Sequence, residues 1–239
     1  MKFHRQLRCG LLMLALSGAS TLVLAAENTA TPAAASATGV TTATTATIAT
    51  IATTAPQSWP EDSVYQLDLK LQIQTGQQVP LSVDAGSPVL VSMFYNSCEY
   101  VCPMLIETLQ MTEAALTKRE RAKLKMMLVS FDPARDDVAA LKNIQRQRHL
   151  DQRWTVARSD EDSVRSLSVA LGIQYRQLES GEFNHSTAII LLAPDGRILA
   201  KTTKLADTDP AFIKVLKQTL QTAGKQGGAK SKPAANAAP

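Results

Sequence analysis

Apolar and polar residues follow two different periods along the middle of the chain, and these periods predict where its strands and helices lie. Residues 64–74 alternate with a period of two, which is typical of a strand that is buried on one face. Residues 89–95 are almost continuously apolar, as expected of a central strand buried on both faces. Residues 104–116 then place apolar side chains at helical spacing. The chain is therefore expected to pass from strands into a helix shortly after residue 95.

Turn signals divide the rest of the chain into alternating strands and helices. Gly172 ends one predicted helix, and Pro194, Asp195 and Gly196 form a tight turn signal between two strands. The remaining strands are predicted at 78–83, 124–131, 154–157, 187–193 and 198–203, and the remaining helices at 138–148, 160–171 and 210–220. This order, an N-terminal β-hairpin, three strand–helix units, an antiparallel hairpin and a final helix, predicts one α/β domain with a mixed central sheet.

The two ends of the chain differ in composition from its middle. Residues 1–26 combine a basic start with an apolar run and small residues near its end, which is typical of a secretory signal peptide. The alternative is a retained membrane anchor, although the run is short for a span of about 20 residues. Residues 27–58 are almost entirely Ala and Thr and are predicted to be a disordered linker, and residues 223–239 are rich in Gly, Ala, Lys and Pro and are predicted to be a disordered tail. The folded domain is therefore predicted at residues 59–222.

The net charge of +4 comes from these ends rather than from the predicted domain. They hold six of the 25 Lys and Arg residues and one of the 21 Asp and Glu residues, which leaves the domain at about −1. The sequence has no basic stripe with interleaved aromatic residues, so nucleic acid is not an expected partner. Cleavage of the signal peptide would remove Cys9 and leave Cys98 and Cys102 as the only cysteines of an exported protein.

Cys98 and Cys102 lie where the apolar strand gives way to the predicted helix. If the first turn is helical, residues four apart lie on one face, and the two sulfurs converge on one small target. The helix N-terminus adds partial positive charge and free N–H groups, which favour thiolate over thiol. Redox chemistry, binding of a soft metal, or both are expected of such a pair, and the alternative is a structural disulfide. A dithiol at a strand-to-helix turn of an α/β chain also predicts a thioredoxin-like fold.

Three stretches of sequence, spaced along the predicted domain, resemble the motifs of one protein family. The first, residues 94–103, contains both cysteines and Pro103. The second, residues 129–136, includes an Asp-Pro-x-Arg-Asp segment. The third has two parts, Asn-His-Ser at residues 184–186 and the Pro-Asp-Gly turn at residues 194–196. The chain thereby resembles the SCO/SenC family of copper-binding, thioredoxin-fold proteins, which assist assembly of the copper centre of cytochrome c oxidase. Glu99 stands where that family often has Pro, and Asn184 stands where Asp is usual.

The resemblance implies a ligand set and a cellular role. It implies that Cys98, Cys102 and His185 bind one copper ion per chain, and that a cytochrome c oxidase subunit or another copper protein is the partner. A thiol reductant is a second expected partner, because copper transfer requires reduced cysteines. The implied location is the periplasm or the extracytoplasmic face of a membrane, with the N-terminus as a route to membrane association. The chain is thus interpreted as a metallochaperone rather than an enzyme.

A thiol–disulfide oxidoreductase is the main alternative. In that role Cys98 would attack a substrate disulfide and Cys102 would resolve it, or the pair would re-reduce another copper site. Copper binding needs His185 and dithiol exchange does not, so this residue discriminates the two functions; without the family resemblance, His185 would be interpreted as a surface-loop histidine. Further alternatives are a peroxiredoxin-like peroxidase, whose threonine-containing motif the sequence lacks, and a structural interaction module.

Two other groups of residues receive a structural interpretation. Asp132, Arg135 and Asp136 follow a predicted strand, and a turn with a helix cap at Asp136 or a neighbour is favoured over a role in tuning the site. Met126 and Met127 lie inside that strand and are interpreted as core residues rather than copper ligands. His149 is interpreted as a solvated residue at a helix end, and His4 leaves with the signal peptide.

Overall fold

Seven strands form one mixed β-sheet in the computed structural model, which describes residues 58–226, and two further strands form a separate sheet. The strands are β1 (Lys70–Ile73), β2 (Gln78–Pro80), β3 (Val89–Phe94), β4 (Lys125–Ser130), β5 (Trp154–Arg158), β6 (Tyr175–Gln177), β7 (Phe183–His185), β8 (Ile189–Leu192) and β9 (Ile198–Thr202). The helices are α1 (Val101–Ala114), α2 (Lys118–Arg121), α3 (Val138–Gln147), α4 (Glu161–Leu171) and α5 (Pro210–Gln226). The predicted α/β class, the mixed central sheet and the N-terminal hairpin are confirmed.

The large sheet has the strand order β2-β1-β5-β4-β3-β8-β9. Its centre, formed by β3, β4 and β5, is parallel, whereas β1 and β8 join it antiparallel on either side. All six residues of β3 are buried, as expected of a central strand covered on both faces. Phe94 and Ser130, the last residues of β3 and β4, are register partners. The two loops that leave these strands therefore start side by side at one edge of the sheet.

Side-chain caps fix where the two middle helices begin. Asp137 Oδ1 accepts the backbone N–H of Ala140 at 2.8 Å at the start of α3. Asp160 Oδ1 accepts the backbone N–H of Ser163 at 2.9 Å at the start of α4. Each carboxylate satisfies an N–H group that has no partner within its own helix. Gly172 ends α4 as predicted, in the left-handed conformation at φ 62°.

The prediction of one strand over residues 64–74 is wrong for its first half. Ser63 Oγ accepts the backbone N–H of Tyr65 at 3.1 Å, and Val64–Gln66 forms a 3₁₀ turn that buries both Val64 and Tyr65. This local hydrogen bond competes with strand pairing, which starts only at Lys70. The returning strand is also shorter than predicted, because Leu81–Asp84 forms a second 3₁₀ helix.

The sequence pattern missed the small β6–β7 sheet and the short helix α2. It also ended the last helix too early, since α5 continues to Gln226 rather than stopping at Leu220. The predicted signal peptide, the predicted linker up to residue 57 and the predicted tail from residue 227 lie outside the described residues. Within residues 58–226, no helix combines the length and the apolar character that a membrane crossing requires.

Candidate metal centre

Cys98 lies in the loop between β3 and α1, and Cys102 lies in the first turn of α1. Tyr100, the residue that precedes the helix, makes no capping hydrogen bond with its side chain. Instead, the backbone N–H of Cys102 donates to Cys98 Sγ at 3.3 Å. The sulfur of Cys98 therefore takes the place of a capping oxygen at the positive end of the helix. This is the strand-to-helix position that the sequence predicts for the pair.

The two thiols differ in exposure and in acidity. Both cysteines are free; Cys98 is half-buried, whereas Cys102 is only 3% exposed. Burial raises the pKa of Cys98, but the hydrogen bonds that its sulfur receives, first among them that from Cys102 N–H, outweigh burial and hold this pKa below the ordinary value. At Cys102 burial dominates, and the nearby Cys98 sulfur adds to it, so the pKa is raised. Cys98 is therefore the thiol that ionises first.

We expect iodoacetamide to modify Cys98 at least about tenfold faster than Cys102, because thiolate character and exposure both control the reaction. The rate at Cys98 should also begin to rise at a lower pH than the rate at Cys102, since its lowered pKa produces thiolate earlier in the titration. Peptide mass spectrometry of the reduced Cys9→Ser chain follows both sites in one sample. Equal rates at the two cysteines, or faster modification of Cys102, would contradict this difference in acidity.

His185 approaches the cysteines from a different part of the chain. It ends β7 in the β6–β7 hairpin, residues 175–185, where it is the register partner of Tyr175. The rings of Tyr95 and Phe131 lie against the imidazole, at centroid distances of 5.7 and 5.0 Å. His185 Nδ1 lies 3.2 Å from the carbonyl oxygen of Ser186. A proton on Nδ1 donated to that carbonyl leaves Nε2 as the metal-binding nitrogen.

The structure brings the three candidate ligands together. Cys98, Cys102 and His185 each present one ligand atom, and these atoms all lie within 4.8 Å of one another. Sulfur and nitrogen ligands bind ions such as zinc at about 2.0–2.3 Å, so donors at this spacing can share one ion after small movements. Two thiolates and one imidazole form a donor set that suits Cu(I) and other thiophilic metals and disfavours magnesium and calcium. The residues therefore fit a single soft metal ion.

An open pocket of about 470 Å³ gives access to Cys98 and His185 from solvent. Tyr100, at the edge of this pocket, is 76% exposed. On the other side Tyr95 Oη donates to Glu182 Oε2 at 2.9 Å. Burial and this hydrogen bond raise the pKa of Tyr95, so its hydroxyl remains a neutral donor beside the Cys98 sulfur. The candidate centre is thus open on one face, where a second protein can reach it.

Asp136 does more than form part of the turn that the sequence predicts. The cap of α3 is its neighbour Asp137, while Asp136 itself is 1% exposed. Its Oδ2 accepts the backbone N–H of Asn96 at 3.0 Å and a hydrogen bond from the Ser130 hydroxyl. Because Asn96 lies in the loop that carries Cys98, the loop after β4 holds the loop after β3.

Sequence reasoning also missed the aromatic cluster around His185. The Phe131 ring contacts Tyr175 and Phe183 at centroid distances of 5.1 Å each, and Tyr95 contacts Phe183 at 5.1 Å. These residues come from three separate segments, so no local pattern joins them. The available signal was the alternation of Phe183 and His185, which places both side chains on one face of a strand.

The other candidate residues lie outside this group. His149 follows α3 and is exposed, at φ 54°. Met126 and Met127 are buried in β4, each at 1% exposure, as predicted for core residues. His4 lies outside the described residues.

Comparison of the sequence with known proteins identifies one family. The family model described as SCO1/SenC matches residues 60–221. No match was found among the curated proteins. The matched range contains Cys98, Cys102 and His185. It also contains all the strands described above, and the helices apart from the end of α5.

Solved structures with the same fold cover about two thirds of the chain and nearly all of their own length. Copper-bound ScoI of Bradyrhizobium japonicum is 22% identical, with 63% of this chain and 96% of that chain covered and a TM-score of 0.54. A SCO1/SenC family lipoprotein of Bacillus anthracis is 18% identical, with 69% and 97% covered and a TM-score of 0.58. BsSco, a member of the Sco family of cytochrome c oxidase assembly proteins with a disulfide switch, is 19% identical, with 65% and 91% covered and a TM-score of 0.54. The described domain thus has the thioredoxin-like fold of these proteins.

Proposed function

The chain belongs to the SCO1/SenC family, and from this membership we propose that it is an exported copper-binding chaperone for a cytochrome c oxidase copper centre. It would deliver copper to that centre, or keep the thiols of that centre reduced. One copper ion per chain would be bound by Cys98, Cys102 and His185. The observation that carries the proposal is the convergence of these three donor atoms within 4.8 Å.

The chemistry of the three side chains supports transfer as well as binding. Cys98 has a lowered pKa and lies on the open side of the pocket, so it is the first sulfur available to a copper ion. Cys102 has a raised pKa and must lose its proton to become a ligand, so copper binding at this site would release protons. A site with three donors leaves room for a ligand of the receiving protein, and copper could then move by ligand exchange. The dithiol must be reduced for this to occur.

The related solved structures support the wider setting. Copper is bound in ScoI of Bradyrhizobium japonicum, and BsSco belongs to a family of oxidase assembly proteins. The Bacillus anthracis relative is a lipoprotein, which agrees with an extracytoplasmic location at a membrane. For this chain the same location rests on the predicted signal peptide at residues 1–26. A subunit of cytochrome c oxidase or another copper protein would be the receiving partner, and a thiol reductant would maintain the cysteines.

Anaerobic titration of the reduced Cys9→Ser chain with Cu(I), in competition with a chromogenic chelator, tests the proposal. We expect one copper ion per chain and a weakening of at least about tenfold in His185→Ala, because the variant loses one of three ligands. His149→Ala, which changes an exposed histidine outside the group, is the matched control and should bind as the parent does. Weak binding by the parent, together with rapid reduction of disulfide substrates, would overturn the proposal.

A thiol–disulfide oxidoreductase remains the second candidate, because the two thiols differ in acidity as an attacking and a resolving cysteine do. In that reaction the Cys98 thiolate attacks a substrate disulfide and releases one substrate thiol. Cys102 then attacks Cys98 Sγ and releases the second thiol, which leaves a Cys98–Cys102 disulfide for an external thiol reductant to reduce. His185→Ala separates the two functions, since it should weaken copper binding and leave disulfide exchange largely intact.

A further inference from the structure

We propose that Arg135, held in place by Asp132, positions the β6–β7 hairpin and thereby sets the His185 imidazole against the two cysteines. Arg135 is then a positioning residue of the candidate metal centre, because it acts through the hairpin and not on the ion. The inference rests on the proposed function, since it concerns how the third ligand of that centre is kept in place.

The ligands of the candidate centre come from segments of two separate sheets, so contacts between these segments are needed to keep the ligands together. The two cysteines follow β3, the central strand of the seven-stranded sheet, whereas His185 belongs to the two-stranded β6–β7 sheet. No strand pairing within the described residues joins the small sheet to the large one. An isolated two-stranded hairpin is only marginally stable in water. His185 is followed closely by β8 of the large sheet, and the rest of the hairpin is held to the domain by side-chain contacts.

Arg135 makes such a contact at the tip of the hairpin. Its Nη2 donates to the carbonyl oxygen of Gly181 at 2.6 Å, and its guanidinium carbon lies 5.7 Å from the centroid of the Phe183 ring. Gly181 is at φ 83°, in the turn between β6 and β7. One planar group therefore binds the backbone of the turn and lies over a ring of the following strand. A lysine cannot make both contacts in this way, because its ammonium group has no planar fork.

Asp132 anchors this arginine to the large sheet. Its Oδ2 accepts a hydrogen bond from Arg135 Nε, and the Asp132 side chain is only 3% exposed. The backbone N–H of Asp132 in turn donates to Ser130 Oγ at 3.0 Å, at the end of β4. A buried carboxylate with fixed neighbours restricts the rotamers of the arginine that it binds. The hairpin tip is thus linked through Arg135 and Asp132 to the same sheet edge that carries the cysteine loop.

The aromatic cluster transmits this constraint to the imidazole. Phe183 and His185 are two residues apart in β7, so their side chains lie on one face of the strand. The Phe131 ring contacts both, at centroid distances of 5.1 Å to Phe183 and 5.0 Å to His185. Movement of Phe183 away from Arg135 would therefore also change the packing against His185. Loss of the arginine should raise the share of molecules in which the imidazole is displaced from the two sulfurs.

A double-mutant cycle on Cu(I) affinity tests this route, with Arg135→Met measured in the full Cys9→Ser chain and in the same chain with His185→Ala. We expect Arg135→Met to weaken binding by about tenfold when His185 is present and by less than about twofold when it is absent, as for residues that orient a metal ligand. X-ray absorption of the copper-loaded Arg135→Met chain should show a reduced nitrogen contribution beside the two sulfurs. Arg176→Met, which removes an exposed arginine of β6, is the matched control for charge and should leave the affinity unchanged.

Each other outcome has a definite meaning. If Arg135→Met weakens Cu(I) binding equally with and without His185, the inference is overturned, because Arg135 would then act without His185. Unchanged Cu(I) affinity in both backgrounds would overturn it as well. Should Arg135→Met fail to fold, Arg135→Lys carries the same cycle, since it keeps the charge but lacks the planar fork. The proposed function is tested separately by comparing the Cys9→Ser chain with the same chain carrying His185→Ala. If these two proteins bind Cu(I) equally tightly, both the proposed function and this inference fail.

Discussion

Replacement of both cysteines, in Cys98→Ser/Cys102→Ser, is expected to weaken Cu(I) binding by roughly a thousandfold or more, which is the largest effect on function that the candidate centre predicts. Serine hydroxyls stay protonated at neutral pH and are hard donors, so the variant loses both soft ligands. The imidazole of His185 then remains alone at the open pocket. The two single variants should each retain part of the affinity, because one thiolate and the imidazole remain.

Competition titration against a Cu(I) chelator measures this loss, and thermal melting of the same samples checks that the fold is retained. The double change is made in the Cys9→Ser chain, which is itself the matched control, since it lacks the cysteine of the predicted signal peptide and keeps the Cys98–Cys102 pair. Tight binding of one copper ion by the double-serine variant would show that the copper ligands lie elsewhere. Both candidate functions need the dithiol, so His185→Ala, and not this variant, separates the chaperone from the oxidoreductase.

The cysteine half of the candidate centre could be predicted from the sequence because it is local. A buried strand, a short loop and a helix start are visible within about 25 residues of sequence, and the i, i+4 spacing then places both sulfurs at the helix N-terminus. The fold class was also predictable, because the apolar runs that become β3, β4 and β8 lie between turn signals and segments of helical spacing. Where local hydrogen bonds replaced strand pairing, as at Ser63, the same kind of pattern gave the wrong element.

The histidine half could not be predicted from periodicity. His185 lies 83 residues after Cys102 in a three-residue strand, which is too short to produce a pattern. Only the family resemblance selected it as a ligand. Arg135 and Asp136 were visible as a turn, but their roles depend on which loops the parallel pairing of β3 and β4 brings together. Such long-range contacts arise from tertiary packing, and the residues themselves carry no sign of them.

Removal of the Asp136 carboxylate, in Asp136→Ala, is expected to lower the free energy of unfolding by about 3 kcal/mol, the largest loss of stability predicted for this region. The side chain is 1% exposed, and its Oδ2 accepts hydrogen bonds from Asn96 N–H and from the Ser130 hydroxyl. Alanine leaves the buried Ser130 hydroxyl and the partly buried Asn96 N–H without this acceptor. Asp137→Ala, which removes only the exposed N-cap of α3, is the matched control and should lose about 1 kcal/mol. Urea unfolding of the reduced chains measures both, and equal losses would contradict the role given to Asp136.

Asp136→Asn separates the hydrogen bonds of this group from its charge. The amide oxygen can accept both hydrogen bonds, so at neutral pH the variant should lose far less stability than Asp136→Ala.

Burial raises the pKa of Asp136 above its ordinary value of 3.8, against the lowering effect of its hydrogen bonds with Ser130 and Asn96. The folded state then keeps the proton at pH values where the unfolded state has lost it. The stability of the parent relative to Asp136→Asn should therefore fall as the pH rises from 3.8 through the raised pKa, and level off above it. If the free energy of unfolding of the parent instead rises relative to that of Asp136→Asn over this pH range, the hydrogen bonds outweigh burial. The loop of Cys98 is then held by a fully ionised carboxylate.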